Sequence, residues 1–278
     1  MKNVLAIYYL LFSICIILIA QPANAQNESD IKIFTSGRVG MTHSSELPAP
    51  GEFNFVIGHR FGEIDGGFYD MFGLDLATMR LGFDYGFSDR FAAGIGRSTW
   101  EKTYDIYFKS AVLKQKENGF PFSLTGLLTW SVATTRNIYP AEHNGFMDRS
   151  SMSFQVLMSR RQGIFSFQVS PSVFRNNLEI RENEPLVLYS VPVTGSLKIT
   201  DRIAFSAQYI PVFNKPSYVR ENPLSLGFDF KTSGHQFQLL FSNTIGMFEK
   251  SFLTDTNGQW GEGKIYFGFN LVRVFYLK

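Results

Sequence analysis

The alternation over residues 76–100 leaves this chain few folds to choose from. Met79, Leu81, Phe83, Tyr85 and Phe87 take every second position, with Thr78, Arg80, Gly82, Asp84 and Gly86 between them. A period of two puts the first set on one face of an extended strand and the second on the other. The apolar face is large and aromatic, and the polar face carries both an arginine and an aspartate. That is the pattern of a strand with lipid on one side and water on the other. Ser88-Asp89-Arg90 turns the chain, after which Phe91, Ala93 and Ile95 alternate with Ala92, Gly94, Gly96 and Ser98. The stretch reads as one hairpin of a transmembrane β-barrel.

The same alternation recurs to the C-terminus. Residues 52–61 form a first expected strand, and the hairpin supplies the second and third. Further strands follow at 103–113, 120–134, 150–159, 164–174, 187–199, 203–213, 224–231, 236–245 and 264–275. Pro192 and Pro211 fall inside the eighth and ninth, where a missing ladder donor predicts bulges or shorter strands. The links alternate in length. Short polar turns such as Lys116-Glu117-Asn118-Gly119, Arg160-Arg161-Gln162-Gly163 and Thr200-Asp201-Arg202 trade places with longer segments at 62–75, 135–149, 175–186, 214–223 and 247–262. The short link at 100–102 is the exception. A soluble β-sandwich also alternates apolar and polar residues, but it needs no such rhythm of links. The expected fold is therefore an all-β, antiparallel transmembrane barrel of about 12 strands, with short periplasmic turns and longer outer loops. An even count sends both termini to the periplasm.

Composition agrees. Aromatic residues make up 16% of the chain and 29 residues are phenylalanine, yet overall hydropathy is near neutral because each strand averages a greasy face with a wet one. Lys2, the apolar run from Val4 to Ala20 and Ala23-Asn24-Ala25 make residues 1–25 a cleaved signal peptide, with an uncleaved anchor as the other reading. Cys15, the single cysteine, would leave with it, removing thiol chemistry from the mature chain. After it there is no further apolar run long enough for a membrane-spanning helix. Residues 26–51 are irregular and end in Pro48, Pro50 and Gly51, so they read as a periplasmic arm, a plug entering the lumen or a short extra strand. The barrel itself is expected over 52–278. A net charge of +2 makes no case for nucleic acid.

Several blocks carry a family resemblance: His59-Arg60-Phe61-Gly62, Phe72-Gly73-Leu74-Asp75, Gly94-Ile95-Gly96-Arg97-Ser98, Glu101-Lys102, Gly234-His235-Gln236-Phe237-Gln238 and Phe267-Gly268-Phe269-Asn270, with Asn243, Met247, Glu249, Phe252, Trp260, Arg273 and Phe275. They resemble the bacterial outer-membrane β-barrel family catalogued as domain of unknown function 5777. The resemblance implies the compartment and the architecture but no reaction.

Strand parity places Arg60, Arg80, Asp84, Asp105, Lys109, Asp229 and Lys231 toward the lumen, along with Gln155, Gln168, Lys198, Lys264 and Asn270. Such groups could select a solute along a polar path, or pair across a closed interior packed by the N-terminal segment. Gly94 and Gly96 leave room for Arg80 and Asp84 on one strand to meet Asp105 and Lys109 two strands away. Of the four histidines, His59 and His143 belong toward the outer side and His43 and His235 toward the periplasm, so no metal site and no cofactor is expected. Ser242-Asn243 lacks a histidine on its strand, and His143 with Glu142 and Asp148 is an ordinary loop composition, so no catalytic residues are assigned.

The segments 62–75 and 247–262 are greasy, with Phe68, Tyr69, Met71 and Phe72 in one and Met247, Phe248, Phe252, Leu253 and Trp260 in the other. Barrel closure brings the first and last strands together, so these loops should meet as a lid or as a docking surface, with Phe68, Tyr69, Phe72, Phe252 and Trp260 as its candidates. The functional expectation is a non-enzymatic outer-membrane barrel, a narrow channel or gated pore for small solutes. The alternative is a closed scaffold that binds a partner protein or hydrophobic ligand through those loops. Outer-membrane lipid is the expected surround in both.

Overall fold

The computed structural model describes residues 30–136, 145–177 and 184–276, so the signal segment, Glu142 and His143 lie outside the described residues. The strands are β1 (Glu52–Glu63), β2 (Ala77–Ser88), β3 (Phe91–Ser98), β4 (Tyr104–Leu113), β5 (Ser123–Val132) and β6 (Ser150–Gln162). Then come β7 (Phe165–Val169 and Ser172–Asn176), β8 (Val187–Ser190 and Val193–Lys198), β9 (Ile203–Tyr209), β10 (Leu224–Lys231), β11 (His235–Ser242) and β12 (Tyr266–Tyr276). The large sheet has 14 ladder segments, but two strands are each split in two, so among the described residues the barrel has twelve strands. Each pairs antiparallel with its successor, and β12 closes on β1 with Leu271 opposite Ile57. The result is a closed antiparallel barrel.

The alternation gives the closed sheet its two faces. Leu81, Phe83 and Phe87 on β2 are exposed on the outer wall while Arg80 and Asp84 are buried inside. Outward aromatic side chains pair across strands, as in Phe53 with Phe83 at 5.5 Å and Phe61 with Phe267 at 5.7 Å between ring centroids. They form the apolar coat that a barrel needs in lipid. Among the described residues no helix is long and apolar enough to cross a membrane, so the crossing is made by strands.

Proline sets the exceptions. β9 ends at Tyr209, ahead of Pro211, and Pro192 splits β8. The strand expected over 164–174, whose alternation runs unbroken from Phe165 to Val173, is also split, because Pro171 cannot donate to the ladder. The carbonyls remain in use: Ser170 N donates to Pro192 O at 2.9 Å, Val191 N to Pro211 O at 3.2 Å and Ile210 N to Pro223 O at 2.9 Å. Four neighbouring strands are thus tied at one level by proline carbonyls. β5 is shorter than its alternation suggests. It starts at Ser123, because Lys116 N bonds Phe120 O and leaves Phe120 in the turn.

Two segments occupy the lumen, one from each end. Residues 30–51 enter beside the β4–β5 link, where Ile31 N donates to Gln115 O, and leave beside the β2–β3 turn, where Gly51 N donates to Gly86 O. Between these points Arg38–Val39 pairs with Thr42–His43, so Gly40-Met41 forms the tip of a small hairpin inside the barrel. Gly40 has a φ of 58° and lies against Gln208 and Ser225, which leaves no place for a side chain. From the long-loop end the β11–β12 connection folds inward as helix α1 (Glu249–Thr254), every residue of which is buried. Ser251 Oγ accepts from the Met247 and Phe248 amides, capping its first turn.

Candidate functional site

The lumen wall on β2 to β4 is built around two glycines. Over Gly96, Arg80 reaches across β3 to Asp105, its Nε donating to Oδ1 at 2.9 Å and its Nη2 bonding Oδ2. Over Gly94, the Tyr107 ring meets Asp84, where a Cβ would collide with both. A glycine at each of these positions is what lets side chains from flanking strands touch above the one between.

The next layer is the contact with the N-terminal segment, henceforth the plug. Lys109 Nζ donates to the carbonyls of Gly37, Ser44 and Glu46 at 2.7, 2.9 and 3.0 Å. Gln168 accepts from Ser45 N and donates to His43 O, both at 2.9 Å. Gln208 accepts from Met41 N at 2.9 Å and donates to Thr42 Oγ1 at 2.7 Å. Asn270 donates to Gly40 O at 3.3 Å, and its own Oδ1 accepts from Arg60 Nη1 at 3.0 Å. Gln238 bonds Asp229 and donates to Arg38 O at 3.3 Å. The wall therefore reads the backbone of the plug, much as a neighbouring strand would.

Of the lumen candidates, Arg60, Arg80, Asp84, Asp105, Lys109 and Asp229 are buried and face the interior. Lys231 departs from that group. It is the last residue of β10, exposed at the short-turn mouth. Lys264 is not in the lumen either, since β12 begins two residues later and Lys264 pairs with Glu262 in the loop at 2.7 Å.

Burial sets the protonation of the inserted segments. His43 lies against Tyr107, ring centroids 4.4 Å apart, and is held well below the ordinary histidine range by burial and by Arg38, Lys109 and Arg80. Glu46, which accepts from the Ile33 and Phe34 amides at 2.8 and 3.2 Å, is raised by burial. Asp255, just after α1, is raised to about 6 by burial and by Glu101. Glu249 is raised by burial and accepts from Gln155 at 2.9 Å, while Lys250 pairs with Glu101.

A second core, apolar, fills the other side of the lumen. Phe174, Leu188, Ile210, Val212 and Leu240, from β7, β8, the segment after β9 and β11, pack with Phe252 and Leu253 of α1 and with Met41 at the plug tip. Phe252, expected on an outer docking face, is only 2% exposed because this apolar wall gives it a better place than water. Trp260 is half-buried and donates to Leu224 O at 3.2 Å. Phe68 and Tyr69 are 84% and 92% exposed, and Phe72 is exposed beside Phe68. The roots of the two loops do meet, with Ile64 N donating to Ile265 O at 3.0 Å. Their aromatic residues do not form one surface.

Two spaces lie beside the plug. A void of about 10 Å³ among Arg38, Met41, Gly58, Arg60, Arg80 and Met247 is at the lower limit for a single water. A cavity of about 240 Å³ opens at the short-turn mouth between the plug and β6 to β10. His43 faces Tyr107, whereas His235 is exposed with Arg273 Nη1 3.0 Å from its ring. Among the described residues no three His, Cys, Asp or Glu side chains gather as metal ligands.

A closed antiparallel barrel with a lipid-facing aromatic coat and a polar, occupied lumen defines an outer-membrane β-barrel protein. More particularly, the chain belongs to the family described as a membrane bound beta barrel domain (DUF5777), whose pattern it matches over residues 34–275. Solved barrels with a similar course include the NanC porin, at 9% identity and a TM-score of 0.49, covering 81% of this chain and 100% of that one. An outer membrane channel from Pseudomonas putida F1 aligns at 13% identity and a TM-score of 0.46, covering 83% and 97%. Outer membrane phospholipase A from Escherichia coli aligns at 8% identity and a TM-score of 0.45, covering 92% and 95%. No curated protein matches the chain in sequence.

Proposed function

We propose that this barrel is a non-enzymatic gated pore for small hydrophilic solutes, with both termini in the periplasm, and that the conformation described is its closed state. The observation that carries the reading is the chemistry of the plug contact. Lys109, Gln168, Gln208 and Asn270 hold plug backbone groups by hydrogen bonds. Water can replace each of those bonds on both partners, so withdrawing the plug leaves a wall that is already hydrophilic. An apolar seal would instead expose grease on opening.

The test is single-channel current in planar bilayers, comparing the full mature chain with one lacking residues 30–50. A mostly silent parent with sustained conductance after the deletion supports gating by the plug. Silence in both supports the second reading, a scaffold with a permanently closed lumen. That reading draws on the apolar cluster around Phe174, Leu240 and Phe252, which resembles the dry core of a soluble protein. Under it, docking falls to the exposed Phe68, Tyr69 and Phe72 alone.

A further inference from the structure

The cavity at the short-turn mouth is cationic to a degree that the chain as a whole, at +2, is not. Lys32, Arg161, Lys198, Arg202 and Lys231 line it, and Asp201 is the single carboxylate among its lining residues. Asp201 is already committed to Lys198, 2.5 Å away. Glu46, a carboxylate within electrostatic reach, is turned onto the Ile33 and Phe34 amides. Five cationic side chains therefore converge on a space with one carboxylate in its lining, and Glu46 and Glu52, which act on Lys231 from outside that lining, still leave the cations in excess.

The cavity is also built rather than merely charged. Arg161 donates through Nη1 to Lys32 O at 3.0 Å and through Nε to Gly163 O at 3.1 Å, so its fork is fixed in direction while Nη2 remains for a ligand. The floor is apolar at Ile33 and Phe34, and Ser166 and Ser196 sit side by side on paired strands. At about 240 Å³ the space exceeds a bare monovalent ion and suits a compact polyanion.

We propose that this mouth binds a multiply charged phosphate oxyanion, through Arg161, Arg202, Lys231 and Lys32. A monocarboxylate would leave most of the charge unanswered, whereas a phosphate or pyrophosphate group answers it with several charge-assisted hydrogen bonds at once. Lys32 to Thr35 belong to the plug, so an occupant bridges the plug to β6, β9 and β10. The group could arrive on a free solute or as the headgroup of an anionic lipid.

Binding is measured without current, so its outcome is independent of the gating proposal. Radiolabelled pyrophosphate is dialysed to equilibrium against the full mature protein in detergent, for the parent and for Arg202→Gln/Lys231→Gln. Both positions are exposed, and an unchanged heat-dependent shift in gel mobility would show that the variant barrel is folded. Saturable binding by the parent, weakened tenfold or more in the variant and by raised salt, is expected. No saturable binding at millimolar pyrophosphate, or equal binding by parent and folded variant, would overturn the proposal. Repeating the titration in nanodiscs with and without phosphatidylglycerol separates the sources. Displacement of pyrophosphate by the lipid identifies a headgroup site, and indifference to it identifies a site for free solute.

Discussion

The Arg80 guanidinium crosses β3 and grips the Asp105 carboxylate two strands away, with Gly96 beneath the contact. Both side chains are almost wholly out of water, so removing one strands the other as a buried, unpaired charge. Arg80→Ala is expected to cost about 3–5 kcal/mol, and Gly96→Val to cost a similar amount by pushing the guanidinium off its partner. Arg80→Met/Asp105→Leu should cost less than Arg80→Ala alone. Urea denaturation of the detergent-solubilised barrel reads all three, and an Arg80→Ala midpoint equal to the parent's would show that the pair contributes nothing.

That contact was legible in the sequence because parity and glycine are local signals. Met79 to Phe87 declares its two faces, and Gly94 and Gly96 declare the gap above β3. The course of the plug was not legible for a physical reason. Its bonds run from wall side chains to its own carbonyls and amides, and every residue type carries those. The apolar lumen cluster left a faint trace. Phe174 and Leu188 on neighbouring strands, and Leu240 farther round the barrel, sit at polar-parity positions where a purely water-filled lumen would carry Ser or Gln. Pro171 was missed because alternation continues unbroken through it. The cationic mouth was spread over Lys32, Arg161, Arg202 and Lys231, and only the shared position of the short turns at one end unites them.

Lys109 is the strongest single hold on the plug, with three carbonyls on one ammonium. Hydrogen bonds to a charged group contribute about 1.5–3 kcal/mol each, but bonds sharing one donor group are not additive, so about 3 kcal/mol for the set is a fair expectation. Lys109→Met should then raise the open fraction on the order of a hundredfold if the plug gates the pore. Single-channel records of the variant decide it, and an open probability matching the parent's would remove Lys109 from the gate.

His43 gives plug retention a pH dependence of definite sign. A released plug would return His43 toward its ordinary value of 6.5, whereas inside the barrel burial with Arg38, Lys109 and Arg80 keeps it neutral far below that. The released state therefore takes up the proton first, and retention weakens as pH falls below about 6.5, by up to about tenfold per unit. Current should rise on acidification, and His43→Gln should remove the rise, leaving the opposite contribution of Glu46, whose carboxyl is raised by burial in the plug. A rise that survives in His43→Gln would assign it to another group.

Asp255 acts on the inward-folded segment that carries α1, here called the lid, in the opposite direction. Its value is raised from 3.8 to about 6 by burial and by Glu101, partly offset by Lys250. A raised carboxyl favours the folded lid when protonated, so the contribution is full below about 4 and is lost as pH climbs through 6. Amide hydrogen exchange across residues 247–256, corrected for its intrinsic pH dependence, should show protection decreasing over that window. In Asp255→Asn the decrease should shrink to what Glu249 contributes, and a parent profile flat from 4 to 7 would contradict the assignment.

Phe252 and Phe68 separate the lid from the loop surface by their cost on truncation. Phe252 is buried with Phe174, Leu188 and Leu240, so Phe252→Ala opens a cavity between α1 and the wall and should cost about 3–5 kcal/mol. Phe68, 84% exposed and in contact with Phe72, should cost no more than about 0.5 kcal/mol as Phe68→Ala. The two measurements also bear on the closed lumen. If Phe252→Ala loses stability and gains conductance together, α1 is part of the barrier. If it loses stability while staying silent, the plug alone is sufficient to close the barrel, and α1 serves as core.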